Sequence, residues 1–562
     1  MKRPREQKAR TSTVAAIVVG ISLAVYLRSL DFEFTYDDHH HFVRNPFVQD
    51  LGNLSRLLPW RFFDQEFPDQ ARPVLVLTHF LDRWLGGSSA VCHLQSALWH
   101  AATAGLVFAL GRSLGFALRT AGLAGVLFGL HPALVEAVAG ISNREDVLAA
   151  FFGLSALLAT RQVFAGKLGA LGLVAVLFAA ALLSKESALA IPLLCLTLAL
   201  CSPRFRPRER PRRAWLALGL AFGLVTAGWA AFQLRLGYPS LLPAAGGTGL
   251  ERAAVVLPLR TLVAWQAPPA SEPRAPEPGA RRRPQGEIAL ADAPALQAFR
   301  AWQLVVPWPT APEYDLAPFR TPWARLLGTL ALALLAAALW RDLRARGRVA
   351  LGIAWFFAAS VPIAVPTLLL NPLADRYLYL PAVGAALTLA WLIAERVPDA
   401  LSRPAMLGTG LAFFALTSAN MLRFRDDVAL FSAATESAPR SARAQQNLGS
   451  ALLRKERIAD ARLALQKAVE LDPNLLAARV NLGLLEEARG DPAAALGHYQ
   501  KAVELPRVVA EQKLAGRACE RLGALGMLRG QRDVVARQLA LERERDASSP
   551  CARALEQSLR SR

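Results

Sequence analysis

Tyr36-Asp37-Asp38-His39-His40-His41, with Asn45-Pro46 just beyond, follows directly on the first long apolar run of the chain. Two adjacent carboxylates at a membrane boundary are costly to desolvate, so they either rest in water as part of an ordinary loop or carry a function. A metal site built from Asp37, Asp38 and one His is the less favoured chemistry: consecutive His side chains point in different directions, and no second ligand cluster has fixed spacing. Further polar groups stand at comparable places. They are Arg72 in Ala-Arg-Pro, His93 and His100 in His-Leu-Gln-Ser-Ala-Leu-Trp-His, His131-Pro132 with Glu136, Asn143-Arg144-Glu145-Asp146, Ser184-Lys185-Glu186-Ser187, and Asp375-Arg376-Tyr377. Each has a plain structural reading. Lys185 and Glu186 can pair in a tight turn, Asp375 and Arg376 can cap helices, His93 can be a satisfied interfacial histidine, and for His79, Glu136 and Asp146 the structural reading is favoured. Together they mark the ends of several apolar runs, as groups enclosing one polar cavity would.

The elements that must position these residues are those runs. With 53% hydrophobic and 19% charged residues and a mean hydropathy of +0.28, the chain of 562 residues is too apolar for a soluble protein of its size. The runs have the length that crosses about 30 Å of hydrocarbon. About eleven spans are expected, roughly at 13–30, 92–110, 119–137, 147–164, 168–184, 187–201, 214–233, 323–340, 349–369, 377–394 and 405–422. The net charge of +20 comes largely from Arg in short loops on alternate sides of these spans, which reads as membrane orientation and not as nucleic-acid binding. The N-terminus and the cluster Arg204 to Arg213 then face the cytoplasm, and the outer loops 31–91 and 235–322, together with the tail, face the far side. The N-terminal run lacks a small-residue cleavage site and is expected to stay as the first helix. Enrichment in Ala, Arg, Leu and Gly points to a GC-rich bacterial genome, hence to a bacterial inner membrane. Of Cys92, Cys195, Cys201, Cys519 and Cys551, only the last two, both in the tail, are placed to pair. The Pro- and Arg-rich stretch 267–287 reads as an insertion without chemistry.

Beyond residue 422 the pattern changes to a repeat of about 34 residues. Asn447-Leu448-Gly449 recurs as Asn481-Leu482-Gly483, Ala461 as Ala495, Leu465 as Tyr499 and Ala468 as Ala502. This is the register of tetratricopeptide repeats, whose small residues let paired helices approach. A half repeat with Phe431, Ala434 and Pro439 precedes it, and a degraded repeat near Leu522-Gly523 and Gly530 reads as a cap. The expected fold is all-α: a polytopic transmembrane helical bundle at 1–422 followed by a tetratricopeptide α-solenoid at 423–562.

The motifs also carry a resemblance. Tyr-Asp-Asp then Asn-Pro, Arg-Pro, His-Leu to Leu-Trp-His, Leu-His-Pro-Ala-Leu-Val-Glu to Asn-Arg-Glu-Asp, Leu-Leu-Ser-Lys-Glu-Ser, Val-Val-Pro-Trp-Pro-Thr-Ala-Pro-Glu-Tyr and Ala-Asp-Arg-Tyr-Leu-Tyr-Leu-Pro occur in order along nearly the whole chain. The set resembles the transmembrane and tetratricopeptide repeat-containing O-mannosyltransferases and their bacterial relatives, membrane glycosyltransferases of the GT-C class. The 267–287 insertion departs from that pattern. The resemblance implies a polyprenyl-phosphate-linked sugar, mannose in the family, as donor and Ser or Thr hydroxyls of exported polypeptides as acceptor, with inversion in a single displacement. Asp37 matches the class's general base, and Asp38 is expected to orient the acceptor or a neighbouring cation. Arg144, Lys185 and Arg376 are expected at the donor phosphate, and Arg72, His93, His100, Glu145, Glu186 and Tyr377 around the substrate pocket. No cofactor beyond the lipid-linked donor is implied, a divalent metal is not favoured, and the expected partners are the bilayer, the donor and an acceptor polypeptide on the repeats. Two alternatives stand beside this reading: a transferase acting on a lipid or envelope glycan, and a non-enzymatic membrane-anchored scaffold for the repeats.

Overall fold

The computed structural model describes residues 2–57, 62, 71–207, 211–236, 290–344, 348–369, 372–505 and 512–560, and no strand occurs among them. The insertion expected at 267–287 lies outside the described residues. The chain divides into two units, Met1–Thr310 with Leu316–Met421, and Ala311–Asp315 with Leu422–Arg562.

In the first unit the apolar segments marked in the sequence all fall on helix. Among the described residues five helices are by themselves long and apolar enough to cross a membrane: Glu6–Asp31, Arg144–Phe164, Pro211–Arg235, Pro322–Arg344 and Asp399–Phe424. A sixth forms if Leu118–Gly129 and Pro132–Ala139, bent by 47°, make one broken span. The shortfall against the expected number has a physical origin. The helix Ser89–Leu114 is long enough but carries His93, Gln95, Ser96, His100 and Thr103, while Leu168–Leu182 and Glu186–Cys201 are short. Burial sorts these helices: Arg144–Phe164 is the most enclosed of the five, whereas Pro322–Arg344 leaves Trp323, Leu327, Leu334 and Trp340 exposed.

The first helix, Lys2–Tyr26, is set by close approach to Leu118–Gly129. A Cβ at Gly125 would stand 2.6 Å from Val18 Cγ1 and one at Gly129 would collide with Ser22 Oγ, so this small-xxx-small face lets the helices touch. The break after Gly129 is the His-Pro of the sequence. Pro132 opens a new turn, and the backbone groups freed there are satisfied by the last helix of the unit, Asp399–Met421. Thr417 Oγ1 donates to Leu130 O at 2.7 Å and Asn420 Nδ2 to Pro132 O at 3.4 Å. His131 Nε2 donates to Leu304 O at 3.3 Å while its Nδ1 accepts from Ala133 N. Such repair by neighbouring side chains is what a broken helix needs away from water, and it turns the chain so that Glu136 leaves the axis of the preceding helix.

The second unit is a run of antiparallel helix pairs. The helices Ala442–Arg454 and Ile458–Leu471 form one repeat, Leu476–Ala488 and Pro492–Glu504 the next, with Asp427–Ser437 before them. Ser441 and Asp491 cap two of them by accepting from Ala444 N and Ala494 N. The degraded repeat expected near Leu522 is the helices Gln512–Leu528 and Arg532–Asp546, closed by Pro550–Arg560, and Cys519 and Cys551 form a disulfide across it with Cα atoms 5.2 Å apart. The repeat glycines sit against large partners: a Cβ at Gly483 would collide with the Tyr499 ring, and that residue is fully buried. Gly483→Ala is therefore expected to destabilise this unit by about 1–3 kcal/mol, seen as faster limited proteolysis within 442–504 of the full-length protein in detergent. Wild-type cleavage rates would contradict this packing.

Candidate functional site

The loop after the first helix is held by Asp38. Its carboxylate is fully buried, with Oδ2 accepting from Thr35 N at 3.1 Å and Thr35 Oγ1 at 3.3 Å, and Oδ1 accepting from Ser142 N at 2.7 Å. These bonds tie the loop to the turn before Arg144. Between Thr35 and Asp37, Tyr36 takes left-handed backbone with φ +46°, a conformation that for a bulky residue stores on the order of 1–3 kcal/mol and persists only where its surroundings enforce it. The next turn starts on Asp37, whose carbonyl accepts from His40 N and His41 N, both at 2.9 Å. Asn45 caps the short helix Pro46–Gln49 by accepting from Phe47 N at 3.0 Å. The Asp37 side chain itself stays open to solvent. Crowding by the surrounding protein nevertheless holds its pKa above the usual aspartate value, against the opposing pull of His41 and Arg376.

Close by, cations and carboxylates alternate at the ends of helices. Arg72 precedes the helix Pro73–Trp84, where proline occupies the first turn. It is salt-bridged to Glu145 and reaches Glu186 at 3.4 Å. Glu145 and Asp146 occupy the first turn of Arg144–Phe164, where the helix dipole favours negative charge, and both accept from Lys185 Nζ, at 2.8 and 2.6 Å. Burial alone would lower the Lys185 pKa, but Asp146 and Glu145 outweigh that and raise it. Arg376 donates to Glu136 from its side chain, and its backbone N–H donates to the same carboxylate at 3.0 Å. The Tyr377 ring joins the group, with Lys185 Nζ 5.8 Å and the Arg376 guanidinium 5.2 Å from its centre. A carboxylate open to solvent thus stands within electrostatic reach of Arg376, one of a set of carboxylate-anchored cations. Such a set can take a proton from a hydroxyl and balance an anion.

Three expected site residues are placed elsewhere. Arg144 is fully buried and its guanidinium is occupied within the protein: Nε donates to Ser96 Oγ at 2.9 Å, Nη1 to Asp82 at 2.6 Å, to Thr78 and to Gln95, and Nη2 to Cys92 O at 2.8 Å. It is a strut joining three helices, and each of its nitrogens already donates within the protein. His100 is fully buried between helices, donating from Nε2 to Gly129 O at 3.1 Å and accepting at Nδ1 from Tyr379 OH at 2.7 Å. His93 is buried edge-on against Phe32. By contrast Glu136 and Asp146, for which the structural reading was favoured, hold Arg376 and Lys185 in place, and a Glu or Asp just past a His-Pro or Asn-Arg break was the signal for them. Among the described residues no three of His, Cys, Asp and Glu are gathered as a metal ion would require.

Fold and site together define a class, an all-α membrane protein whose helix ends gather a charged polar cluster and whose second unit is a tetratricopeptide solenoid. Residues 442–475 match the family model of the tetratricopeptide repeat. The chain is 33% identical over 183 residues to the Drosophila melanogaster protein O-mannosyl-transferase Tmtc1, 28% over 167 residues to the Caenorhabditis elegans protein O-mannosyl-transferase F38B6.6, and 32% over 171 residues to the human protein O-mannosyl-transferase TMTC4. These matches cover 31%, 28% and 27% of this chain, but only 21%, 24% and 23% of the relatives, so they span about a fifth to a quarter of the relatives' length. They agree with the resemblance carried by the ordered motifs.

Proposed function

We propose that this protein is a membrane glycosyltransferase that moves a sugar, mannose by the name its relatives bear, from a polyprenyl-phosphate donor to Ser or Thr hydroxyls of exported proteins. The observation that carries the reading is one solvent-open carboxylate, Asp37, beside cations fixed by their own carboxylates. In the proposed step Asp37 takes the proton of the acceptor hydroxyl as that oxygen bonds to the anomeric carbon. The bond from that carbon to the phosphate oxygen breaks on the opposite face, and the phosphate leaves with the electron pair. Arg376, Lys185 and Arg72 would stabilise its charge, and because Glu136, Glu145 and Asp146 already orient them they would need little reorganisation. Asp38 positions the loop. The repeats present the acceptor from an open groove of about 340 Å³ lined by Val428, Gln445, Leu448 and Leu463 among others. The test is transfer of labelled sugar from polyprenyl-phosphate mannose to envelope protein by the purified full-length chain. If no lipid-linked sugar of a panel supports transfer, the scaffold reading replaces this one.

The proposal also places the N-terminus in the cytoplasm and the repeats outside the inner membrane. The Arg-rich loops support this, as does the Cys519–Cys551 disulfide, since such bonds persist in oxidising compartments. Acid-trapped and denatured protein is expected to take up alkylating reagent at the three free cysteines, Cys92, Cys195 and Cys201, and at all five only after reduction. Mass spectrometry finding five adducts without reduction would return the repeats to the cytoplasm.

A further inference from the structure

The helix Ala293–Gln303 carries an arginine that plays no part in the site as described so far. Arg300 is 4% exposed. Its Nη2 donates to Pro372 O at 2.6 Å, its guanidinium stands 5.8 Å from the centre of the Tyr377 ring, and its Nε has no partner among the described residues. Lys185 and Arg376 approach the same ring, but each has a carboxylate at hydrogen-bond distance. Arg300 has none among the described residues. Burial draws its pKa down to about 10, with only Tyr377 pulling upward. A buried cation lacking an anion is strongly unfavourable, so a ligand that brings one would suit these surroundings. The ligand's other end is suggested by the surface nearby. Trp302, Val305 and Trp308, all within a short stretch of Arg300, are exposed, an aromatic and aliphatic rim of the kind found at membrane interfaces.

We propose that Arg300 binds the phosphate of an anionic amphiphile, its guanidinium receiving the phosphate oxygens beside Tyr377 while the apolar chain leaves past Trp302 and Trp308. This rests on the lipid-phosphate donor proposed above and adds the residue that supplies the unpaired positive charge. Arginine suits the task because its planar fork gives several N–H donors to one phosphate.

The test uses the full-length protein in detergent, with polyprenyl phosphate, polyprenol of the same length and inorganic phosphate as probes, and affinity read by competition with radiolabelled polyprenyl phosphate. Wild type should prefer polyprenyl phosphate to polyprenol. Arg300→Gln should weaken polyprenyl phosphate by about 10- to 100-fold, the worth of a charge-assisted hydrogen bond, without changing polyprenol. Arg300→Lys should recover part of the loss, and if the Gln variant does not fold, the Lys variant carries the comparison with a smaller expected loss. Wild-type affinity in the folded Gln variant, or in the Lys variant where that one is needed, overturns the role of Arg300 and leaves the donor reading standing. If wild type does not distinguish polyprenyl phosphate from polyprenol, the donor reading falls. In that event inorganic phosphate binding that still depends on Arg300 supports an anion site filled from solution, and binding that does not depend on it removes the site.

Discussion

Replacing Asp37 by Asn is expected to abolish sugar transfer while leaving the protein at least as stable as wild type. The first half follows from the proposed role. A positioned general base contributes about 10²- to 10⁴-fold, and Asn at the same place keeps the volume and a hydrogen-bonding oxygen but cannot accept the proton. The second half follows from the electrostatics. Crowding raises the Asp37 pKa in the folded chain, with His41 and Arg376 only partly offsetting it. A carboxyl whose pKa is higher folded than unfolded binds more protons in the native state between the two values, so stability rises as pH falls through that window. At neutral pH the protein carries the full cost of keeping Asp37 charged, and Asn removes it. The melting temperature of Asp37→Asn in detergent should therefore equal or exceed that of wild type at pH 7, the gap closing as pH is lowered through the carboxylate range. The acid limb of wild-type kcat/KM should lie above the value of about 3.9 for a free aspartate. Loss of transfer together with a lowered melting temperature at pH 7 would instead mark Asp37 as structural.

How much of this was legible in the sequence depended on the kind of signal. Hydrophobic runs report helices directly, and the recurrence of Gly449 as Gly483 and of Leu465 as Tyr499 reports helix pairing, because each glycine lies under the recurring side chain. Apolarity alone was a poorer measure where spans carry polar side chains for internal use. His100 and Thr103 lie on Ser89–Leu114 and turn inward, His100 onto Gly129 and Tyr379. The site was legible as a set of motifs but not as a geometry. Lys185, Arg72, Glu145 and Glu186 meet as one cluster, with Arg376 and Tyr377 beside it, all from charged groups at span ends. Arg144 and Glu145 are adjacent in sequence, yet one faces a buried network and the other the charged cluster, since neighbours on a helix point in different directions. Arg300 gave no signal: it is a single arginine in an amphipathic helix, and only its burial and missing partner distinguish it.

The strut behind the site makes the second large effect. Asp82 and Arg144 are both fully buried and meet at 2.6 Å, and removing one member of such a pair leaves an uncompensated charge worth about 3–5 kcal/mol. Asp82→Asn is expected to lower the stability of the first unit by that order, read as a depressed melting temperature in detergent. Burial opposes the Asp82 charge, but Arg144 and His79 outweigh it and hold the pKa below the ordinary value. The stability it supplies is therefore present at neutral pH and is lost only as pH falls below about 3.9 and through the depressed folded value. Removing both partners, as Asp82→Leu with Arg144→Met, should recover part of the loss and not all, because Gln95 and the Cys92 carbonyl would lose the donor that Arg144 supplies, and a buried acceptor left unpaired is itself destabilising. A double variant no more stable than Asp82→Asn would show that the hydrogen bonds and not the ion pair hold the three helices. Glu145 and Asp146 follow Arg144 directly and hold Arg72 and Lys185, so a loosened strut should also reduce transfer in the fraction that stays folded. The two aspartates then act with opposite sign: Asp82 spends its charge on the scaffold, which lets the chain keep Asp37 charged and open at a cost to stability.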